Sequence, residues 1–312
     1  MRRALALAAV LLSLGAARAR AEGVALTFDD LPQLSLTDSA DYAATTNRRL
    51  LAGLKRHRMT AIGFVVGDKL EGPGHDRRVA VLRAWLKAGH RLGNHTYDHD
   101  SLNNTPLDDY IASVELNDAV LRPLLATRHE RPVWFRHPYL ETGPTAEIKQ
   151  TFEAWLQAHH YKVAPVTLEN SDWMFALPYD DAVLRGDKTE ARRIRQAYVD
   201  YTALCVPWYR RAAYGLLGRR PALVFLLHGT RLNADSIDDL AAILRRNHLK
   251  AVSLDRAMRD PVYAIADDRP DVAGDEWLSR WSELLRKSLP WDSFPEPPAD
   301  IAATDKRLDS EP

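Results

Sequence analysis

Two adjacent aspartates end a short apolar run near the start of the chain, and two histidines follow about 65 positions later. Residues 24–30 read Val-Ala-Leu-Thr-Phe-Asp-Asp, and His95 and His99 have three residues between them. One carboxylate plus two imidazoles is a common facial ligand set for a divalent transition metal, with coordination positions left open. The other aspartate then remains free to act as a base toward water that the metal activates. This combination indicates a hydrolase.

The composition excludes several classes of protein. A chain of 312 residues can bury the core of one barrel-sized domain or of two small ones. Its 42 basic and 42 acidic residues balance, so no overall basic field exists to hold nucleic acid or a membrane surface. A hydrophobic fraction of 46% with 18 prolines is typical of a globular enzyme. We therefore expect no nucleic-acid partner.

The N-terminus has the order of a secretory signal. Two arginines precede an apolar stretch at residues 4–14, and small residues follow as far as Ala21. A membrane-spanning anchor would need roughly 20 continuous apolar residues, and Arg18 and Arg20 interrupt this stretch. We expect a signal peptide at residues 1–21, cleavage near Ala21, a periplasmic or secreted protein and no stable membrane anchor.

The single cysteine, Cys205, cannot form a disulfide within the chain. Its neighbours in sequence are apolar, which predicts a buried core thiol rather than a nucleophile. An exported protein without disulfides depends on its hydrophobic core for stability, and this length permits one.

Short β-type runs alternate with amphipathic helical stretches, a pattern typical of parallel βαβ units. The predicted strands are 24–28, 61–66, 91–94, 133–136, 163–168, 222–227 and 251–254, and the predicted helices are 39–57, 76–88, 107–127, 145–160 and 234–246. Asn233 is expected to cap the last of these helices. Seven strands predict an α/β fold, a distorted (β/α)7-type barrel. Its active site should lie at the C-terminal ends of the strands, where the aspartates and histidines fall.

Two segments stand outside this alternation. Residues 180–220 form a basic and aromatic helical region, which is either a cover packed on the barrel or a wall of the substrate groove. Residues 263–312 carry three tryptophans that should dock a final helix, and then a tail of about 15 residues expected to be mobile. The predicted catalytic domain is 22–262, with 180–220 as a helical insertion.

Five short motifs follow one another at the predicted strand ends. They are Thr-Phe-Asp-Asp at 27–30, His-Thr-Tyr-Asp-His at 95–99, Arg-His-Pro-Tyr at 136–139, Asp-Trp at 172–173 and Leu-Leu-His at 226–228. In this order they resemble the motifs of the polysaccharide deacetylase family, metal-dependent carbohydrate esterases that remove N- or O-linked acetyl groups from sugars. The resemblance spans about residues 24–260. Each motif is individually weak, but five in order are specific.

The resemblance implies a role for each ligand and for the base. Asp30, His95 and His99 would bind the metal; zinc suits this N/O set best, and cobalt, nickel or manganese could bind similarly. Asp29 would be the general base. Adjacent side chains on a strand point in opposite directions, so the two aspartates need a turn at the strand end to share one pocket.

The resemblance also implies the remaining roles. His228 would be the general acid that protonates the leaving amine, and Asp172 would favour its charged form. Arg136 would orient the base. Trp173 and Leu226 would form an apolar pocket for the acetyl methyl group. In the third motif, Pro138 and Tyr139 would contact substrate, with the backbone N–H of Tyr139 as an oxyanion donor.

One position departs from the family pattern, and it leaves the substrate open. The fourth motif usually opens with Asp, whereas Glu169 stands three positions before Asp172. The leading hypothesis is deacetylation of a polysaccharide or oligomer that contains N-acetylglucosamine, such as peptidoglycan or an exported polymer. The alternatives are a related metal-dependent amide hydrolase with a small non-sugar substrate, and an inactive sugar-binding relative. The sequence indicates no oligomeric state.

Overall fold

The computed structural model describes residues 22–267 and 269–309. The predicted signal peptide therefore lies outside the described residues. Within them, no helix combines the length and the apolar character that crossing a membrane requires.

Seven parallel strands form one sheet. They are β1 (Glu22–Leu31), β2 (Ala61–Val65), β3 (Arg91–Asn94), β4 (Trp134–Phe135), β5 (Lys162–Val163), β6 (Leu223–His228) and β7 (Leu249–Val252). The order is β5-β4-β3-β2-β1-β6. β6 pairs with one edge of β1 at residues 24–29. β7 and β2 both pair with the other edge, β7 at residues 22–25 and β2 at residues 26–31. The long, buried β1 thus lies at the centre of the fold.

The sheet curls until the chain beyond β5 meets β6. The backbone N–H groups of Thr167 and Leu168 donate to the carbonyl of Val224 at 3.0 Å, and Leu226 N–H donates to the carbonyl of Leu168 at 2.9 Å. This seam closes a distorted barrel and confirms the predicted fold class. The predicted strand 163–168 is regular only at its start, since Pro165 has no N–H to donate to a ladder.

Helices surround the sheet. They are α1 (Ala40–Arg56), α2 (His75–Lys87), α3 (Leu107–Ala126), α4 (Ala146–Ala158), α5 (Asp172–Leu184), α6 (Lys188–Leu217), α7 (Arg231–Arg246), α8 (Leu254–Ala257), α9 (Trp277–Leu284) and α10 (Ala299–Leu308). The predicted cap of α7 is wrong. The hydroxyl of Thr230 accepts from Asn233 N–H and caps the helix, while Asn233 lies inside the first turn. Its side chain is buried and turns toward the site described below.

The predicted helical region at 180–220 comprises the end of α5 and the whole of α6. The buried face of α6 carries Tyr198, Tyr201 and Trp208 against the body of the protein, so most of the region is a packed cover, while Tyr209 of the same helix lines the cavity described below. Cys205 lies on this face with no exposed surface, and burial raises the pKa of its thiol to about 12. Both features agree with a core thiol.

The C-terminal extension, residues 263–309, is anchored at several points. Trp277 N–H donates to the carbonyl of Val166 at 2.7 Å, and the ring of Trp291 packs on Trp208 at 4.8 Å. Where the sequence predicts a mobile tail, the structure has α10. This helix packs against α5, because Ile301 supplies it with an apolar anchor that is 1% exposed.

Candidate metal centre and active site

The two aspartates share one cavity because β1 loses its regular conformation where they occur. The register with β2 shifts between Phe28 and Leu31, and Asp30 adopts a left-handed conformation with φ of 63°. In a regular strand, successive side chains alternate between the two faces of the sheet, so the two carboxylates would lie on opposite faces. The left-handed residue breaks this alternation. Both side chains are buried and line the same cavity, as the predicted turn requires.

Asp30, His95 and His99 come together as a ligand set. One ligand atom from each lies within 4.8 Å of the others, and Oδ1 of Asp30 is 3.3 Å from Nε2 of His99 and 3.9 Å from Nε2 of His95. This oxygen is buried, and no described residue gives it a hydrogen bond. A cation would satisfy it. The residues present therefore fit a divalent metal with mixed N/O ligands.

His95 is held in the orientation that a ligand needs. Its Nδ1 lies 2.8 Å from the carbonyl oxygen of Arg136 and donates to it, which leaves Nε2 on the side of the carboxylates. Burial, reinforced by nearby His99, lowers its pKa well below the usual value. The imidazole is therefore neutral, as metal binding requires.

Lys69 is a neighbour of the metal site that sequence reasoning missed. Its Nζ lies 3.5 Å from Oδ1 of Asp30. Burial raises the pKa of Asp30, but Lys69 and His99 lead a group of cations that lower it by more, so the net pKa is well below the usual value. The carboxylate is ready to bind a cation. The only signal in the sequence was the position of Lys69 shortly after a strand end.

Arg136 holds Asp29 from behind. Its Nη1 donates to Oδ2 of Asp29 at 3.3 Å and its Nη2 to the hydroxyl of Thr27 at 3.1 Å. The guanidinium is 1% exposed and lies over the ring of Phe64, 4.9 Å from the centroid. Burial raises the pKa of Asp29 to about 6 against the opposing charge of Arg136. A carboxyl with such a pKa is suited to general base catalysis near neutral pH.

His228 and Asp172 form a hydrogen-bonded pair at the end of β6. His228 Nδ1 lies 2.8 Å from Oδ1 of Asp172, and the backbone N–H of His228 donates to Oδ2 at 2.7 Å. Burial lowers the pKa of His228, but Asp172, with smaller contributions from Asp30 and Asp29, raises it by more, so the net pKa is about 9. At neutral pH the imidazole therefore carries two protons and can donate one.

Asn233 is the second residue that sequence reasoning missed. Its Nδ2 donates to Oδ2 of Asp172 and, at 2.9 Å, to the carbonyl of His228. Its Oδ1 accepts from the hydroxyl of Tyr198 at 2.6 Å, and that hydroxyl accepts from Asn170 at 3.0 Å. Residues from α6 and α7 thus fix the acid pair. In the sequence this Asn stands five residues after the motif histidine, a position that predicts only a helix cap.

These residues open into a cavity of about 700 Å³. Tyr139, Trp173 and Leu226 line it, and the rings of Tyr139 and Trp173 are about 40% exposed. Pro138 is buried and is not one of the described lining residues. Tyr209 lines it from the 180–220 region, for which the sequence predicts either a cover or a groove wall. The other lining residues were not predicted: Leu34, His137, Leu140, Glu169, Leu177, Gly274, Asp275, Glu276, Ser279, Ser282, Glu283, Trp291, Asp305 and Asp309.

Comparison with known proteins gives one family for the first half of the chain. The model of the polysaccharide deacetylase family matches residues 16–159, a segment that holds the first three of the five motifs. A peptidoglycan-N-acetylglucosamine deacetylase of Bacillus cereus is 28% identical over 151 residues, which are 48% of this chain and 46% of that protein. The chain thus spans less than half the length of this curated relative.

Solved structures share the fold over a longer stretch. The polysaccharide deacetylase Bc1974 from Bacillus cereus aligns with 74% of this chain and 91% of its own, at a TM-score of 0.53 and 18% identity. A pseudoenzyme of the CE4 family from Bacillus anthracis aligns with 76% of this chain and 65% of its own, at a TM-score of 0.52 and 15% identity.

Proposed function

Because the chain belongs to the polysaccharide deacetylase family, we propose that it is a metal-dependent hydrolase. Its substrate would be an acetylated sugar polymer or oligomer that contains N-acetylglucosamine. The observation that carries the proposal is the convergence, in one cavity, of the Asp30–His95–His99 ligand set, a buried carboxyl and a histidine with a raised pKa. Peptidoglycan is the first candidate substrate, because the curated relative reported above is named a peptidoglycan-N-acetylglucosamine deacetylase. The signal-like N-terminus favours export, where such a polymer would be met.

The ligand set would hold a divalent ion, with zinc as the first candidate. When bound, this ion supplies Lewis acid polarisation of the acetyl carbonyl and makes a water molecule more acidic. Asp29 accepts the proton of the attacking water, and Arg136 keeps the carboxylate oriented toward the cavity. The Tyr139 backbone N–H is proposed as a further donor to the developing oxyanion. Trp173 and Leu226, which line the cavity, would contact the acetyl methyl group.

His228 completes the reaction. As an imidazolium it donates a proton to the sugar nitrogen when the carbon–nitrogen bond breaks, so that the product leaves as a neutral amine. Asp172 stabilises the charged ring before this transfer, and Asn233 holds Asp172 in place.

Acetate release from a panel of substrates tests the proposed function. The panel is chitin oligomers, peptidoglycan, acetylated xylan and small amides, each assayed with the metal-loaded protein. We expect release from the substrates that contain N-acetylglucosamine. Release from the small amides alone would favour the alternative amide hydrolase, and release from none would favour an inactive sugar-binding relative. In the last case the chain would be inactive although all five residues named for metal binding, base and acid catalysis are present.

His228→Ala separates amide from ester hydrolysis. An amine leaving group needs a proton, whereas the leaving group of an activated acetate ester does not. We expect turnover of the amide to fall by about 10²-fold, within the usual contribution of general acid catalysis, and turnover of the ester to fall much less. The measurement is kcat on both substrates, with metal content as a check. His75→Ala, at an exposed position outside the cavity, is the control. An equal loss on both substrates would remove the general-acid role.

Asp172→Asn should change the pH dependence. The carboxylate raises the pKa of His228 to about 9, so the active imidazolium is lost as the pH rises through that value. Without the carboxylate this pKa falls, and the alkaline limb of the kcat profile should move to lower pH by about one unit or more. The profile is measured from pH 5 to 10 with saturating substrate. An alkaline limb at an unchanged pH would show that His228 is not the group that titrates there.

A further inference from the structure

The outer wall of the cavity is acidic and comes largely from the C-terminal extension. Five acidic residues of the extension line the cavity: Asp275, Glu276, Glu283, Asp305 and Asp309. Glu169 lines it from the barrel. Of the lining residues that the structure describes, none is Lys or Arg. A cavity with this charge favours a cationic ligand group.

Asp305 on α10 is the acidic residue of this wall that has a buried oxygen without a hydrogen-bond donor. It is 5% exposed and lines the cavity, yet its Oδ1 receives no hydrogen bond from any described residue. Burial raises its pKa to about 7, with a further contribution from Asp309. A buried carboxylate oxygen without a donor destabilises the protein. A donor that enters the cavity with a ligand would remove this cost.

The neighbouring acids have partners within the protein. Glu276 caps α9 by accepting from the N–H groups of Leu278 and Ser279, and Glu283 contacts Arg269. Glu169 accepts from Ser171 N–H at 3.3 Å and from the hydroxyl of Tyr209 at 3.4 Å. None of the partners of Glu169 and Glu276 is a cation, and burial raises the pKa of Glu169 and, to about 7, that of Glu276. A cation that enters the cavity would therefore favour ionisation of both groups in the wall that holds Asp305.

The wall is fixed before any ligand binds. Arg280, which is 1% exposed, pairs with Asp267 and Asp271. Asp271 in turn joins residue 143 through an antiparallel bridge. These contacts fix the part of the wall that precedes and includes α9, and the packing of α10 on α5 places Asp305 at the cavity. Such preorganisation favours a specific site.

We propose that Asp305 and the acidic wall form a subsite for a primary ammonium group that the substrate carries near the N-acetyl group to be hydrolysed. This inference rests on the proposed function. Among the described residues the only group of three close metal-ligating side chains is Asp30, His95 and His99, so a second metal is not the expected occupant. An ammonium is a compact cation that can donate to a single orphaned oxygen. It could come from a deacetylated neighbouring sugar or from a peptide attached to the glycan.

The test compares fully acetylated N-acetylchitotriose with the two trisaccharides in which one terminal unit is N-deacetylated. Acetate release by the metal-loaded protein gives kcat/KM for each. We expect a preference of about 10-fold for at least one amine-bearing trisaccharide, mainly through KM. Asp305→Asn, which keeps the shape of the side chain, should reduce this preference to about one. Asp292→Asn, which removes an exposed carboxylate of the extension outside the cavity, should retain it.

A second pair of substrates distinguishes the sources of the amine. A disaccharide peptide with a free lysine amine is compared with the same compound after acetylation of that amine. A preference for the free amine that depends on Asp305, without a preference among the trisaccharides, assigns the subsite to the peptide. Equal kcat/KM within both sets would overturn the subsite and leave the proposed deacetylase intact.

If no compound releases acetate, the proposed function fails, and calorimetry decides the subsite by itself. Glucosamine should then bind the wild-type protein and lose affinity in Asp305→Asn, with N-acetylglucosamine as the uncharged comparison. Equal affinity of glucosamine for both proteins would overturn the subsite.

Discussion

Replacing His95 or His99 with alanine is expected to remove the metal and nearly all activity. Each histidine would supply one of the three protein ligands found among the described residues, so its loss would leave a two-ligand site. Metal polarisation contributes several kcal/mol to such hydrolysis, and 1.36 kcal/mol corresponds to tenfold in rate. We therefore expect kcat/KM to fall by about 10³-fold or more. Elemental analysis of the purified variants, together with acetate release, measures both effects.

The matched control is His137→Ala. His137 is a buried histidine that lines the same cavity but does not belong to the ligand set, and this variant should keep its metal. Treatment of the wild-type protein with a chelator should abolish activity, and one equivalent of divalent ion per chain should restore it. Full metal content in both His95→Ala and His99→Ala would show that the ligands have been assigned incorrectly.

Asp29→Asn is expected to keep the metal and to lose turnover by roughly 10²–10⁴-fold, the usual contribution of general base catalysis. The amide has nearly the shape of the carboxylate and leaves Asp30, His95 and His99 in place, but it cannot accept a proton from water. Its partner Arg136 can still donate to the amide oxygen. The measurement is kcat with saturating substrate, alongside metal content.

Asp30→Asn provides the complementary variant. It removes the charge of the ligand oxygen and should lower metal content, whereas Asp29→Asn should not. If the two variants behaved in the opposite way, the roles of the adjacent aspartates would have to be exchanged.

The fold was predictable where a strand is a continuous apolar run. Residues 24–28 and 222–227 are such runs, and they became β1 and β6, the two strands that present Asp29 and His228. The seam between β5 and β6 was not predictable in detail, because Pro165 interrupts the ladder and the closing bonds join residues more than 50 positions apart. The docking of α10 depends on tertiary contacts, which local composition does not reveal.

The site was predictable where its residues form short motifs. Asp30, His95 and His99 meet as the motifs indicate. Lys69, Asn233 and Asp305 were missed, because each is an ordinary polar residue until folding brings it to a partner or a cavity from another element. No local pattern distinguishes such a residue from one on a solvated surface.

The residues proposed for the chemistry and those proposed for substrate choice lie in different parts of this chain. The proposed metal ligands and base lie within residues 29–99 and the proposed acid is His228, whereas much of the cavity wall lies within residues 274–309. Substitutions in α9 and α10 can therefore alter what enters the cavity without moving a ligand. We therefore expect relatives with the same five motifs to differ in substrate where these last helices differ. Grouping such proteins by their motifs would sort them by reaction, and the C-terminal extension is the region to compare for differences in substrate specificity.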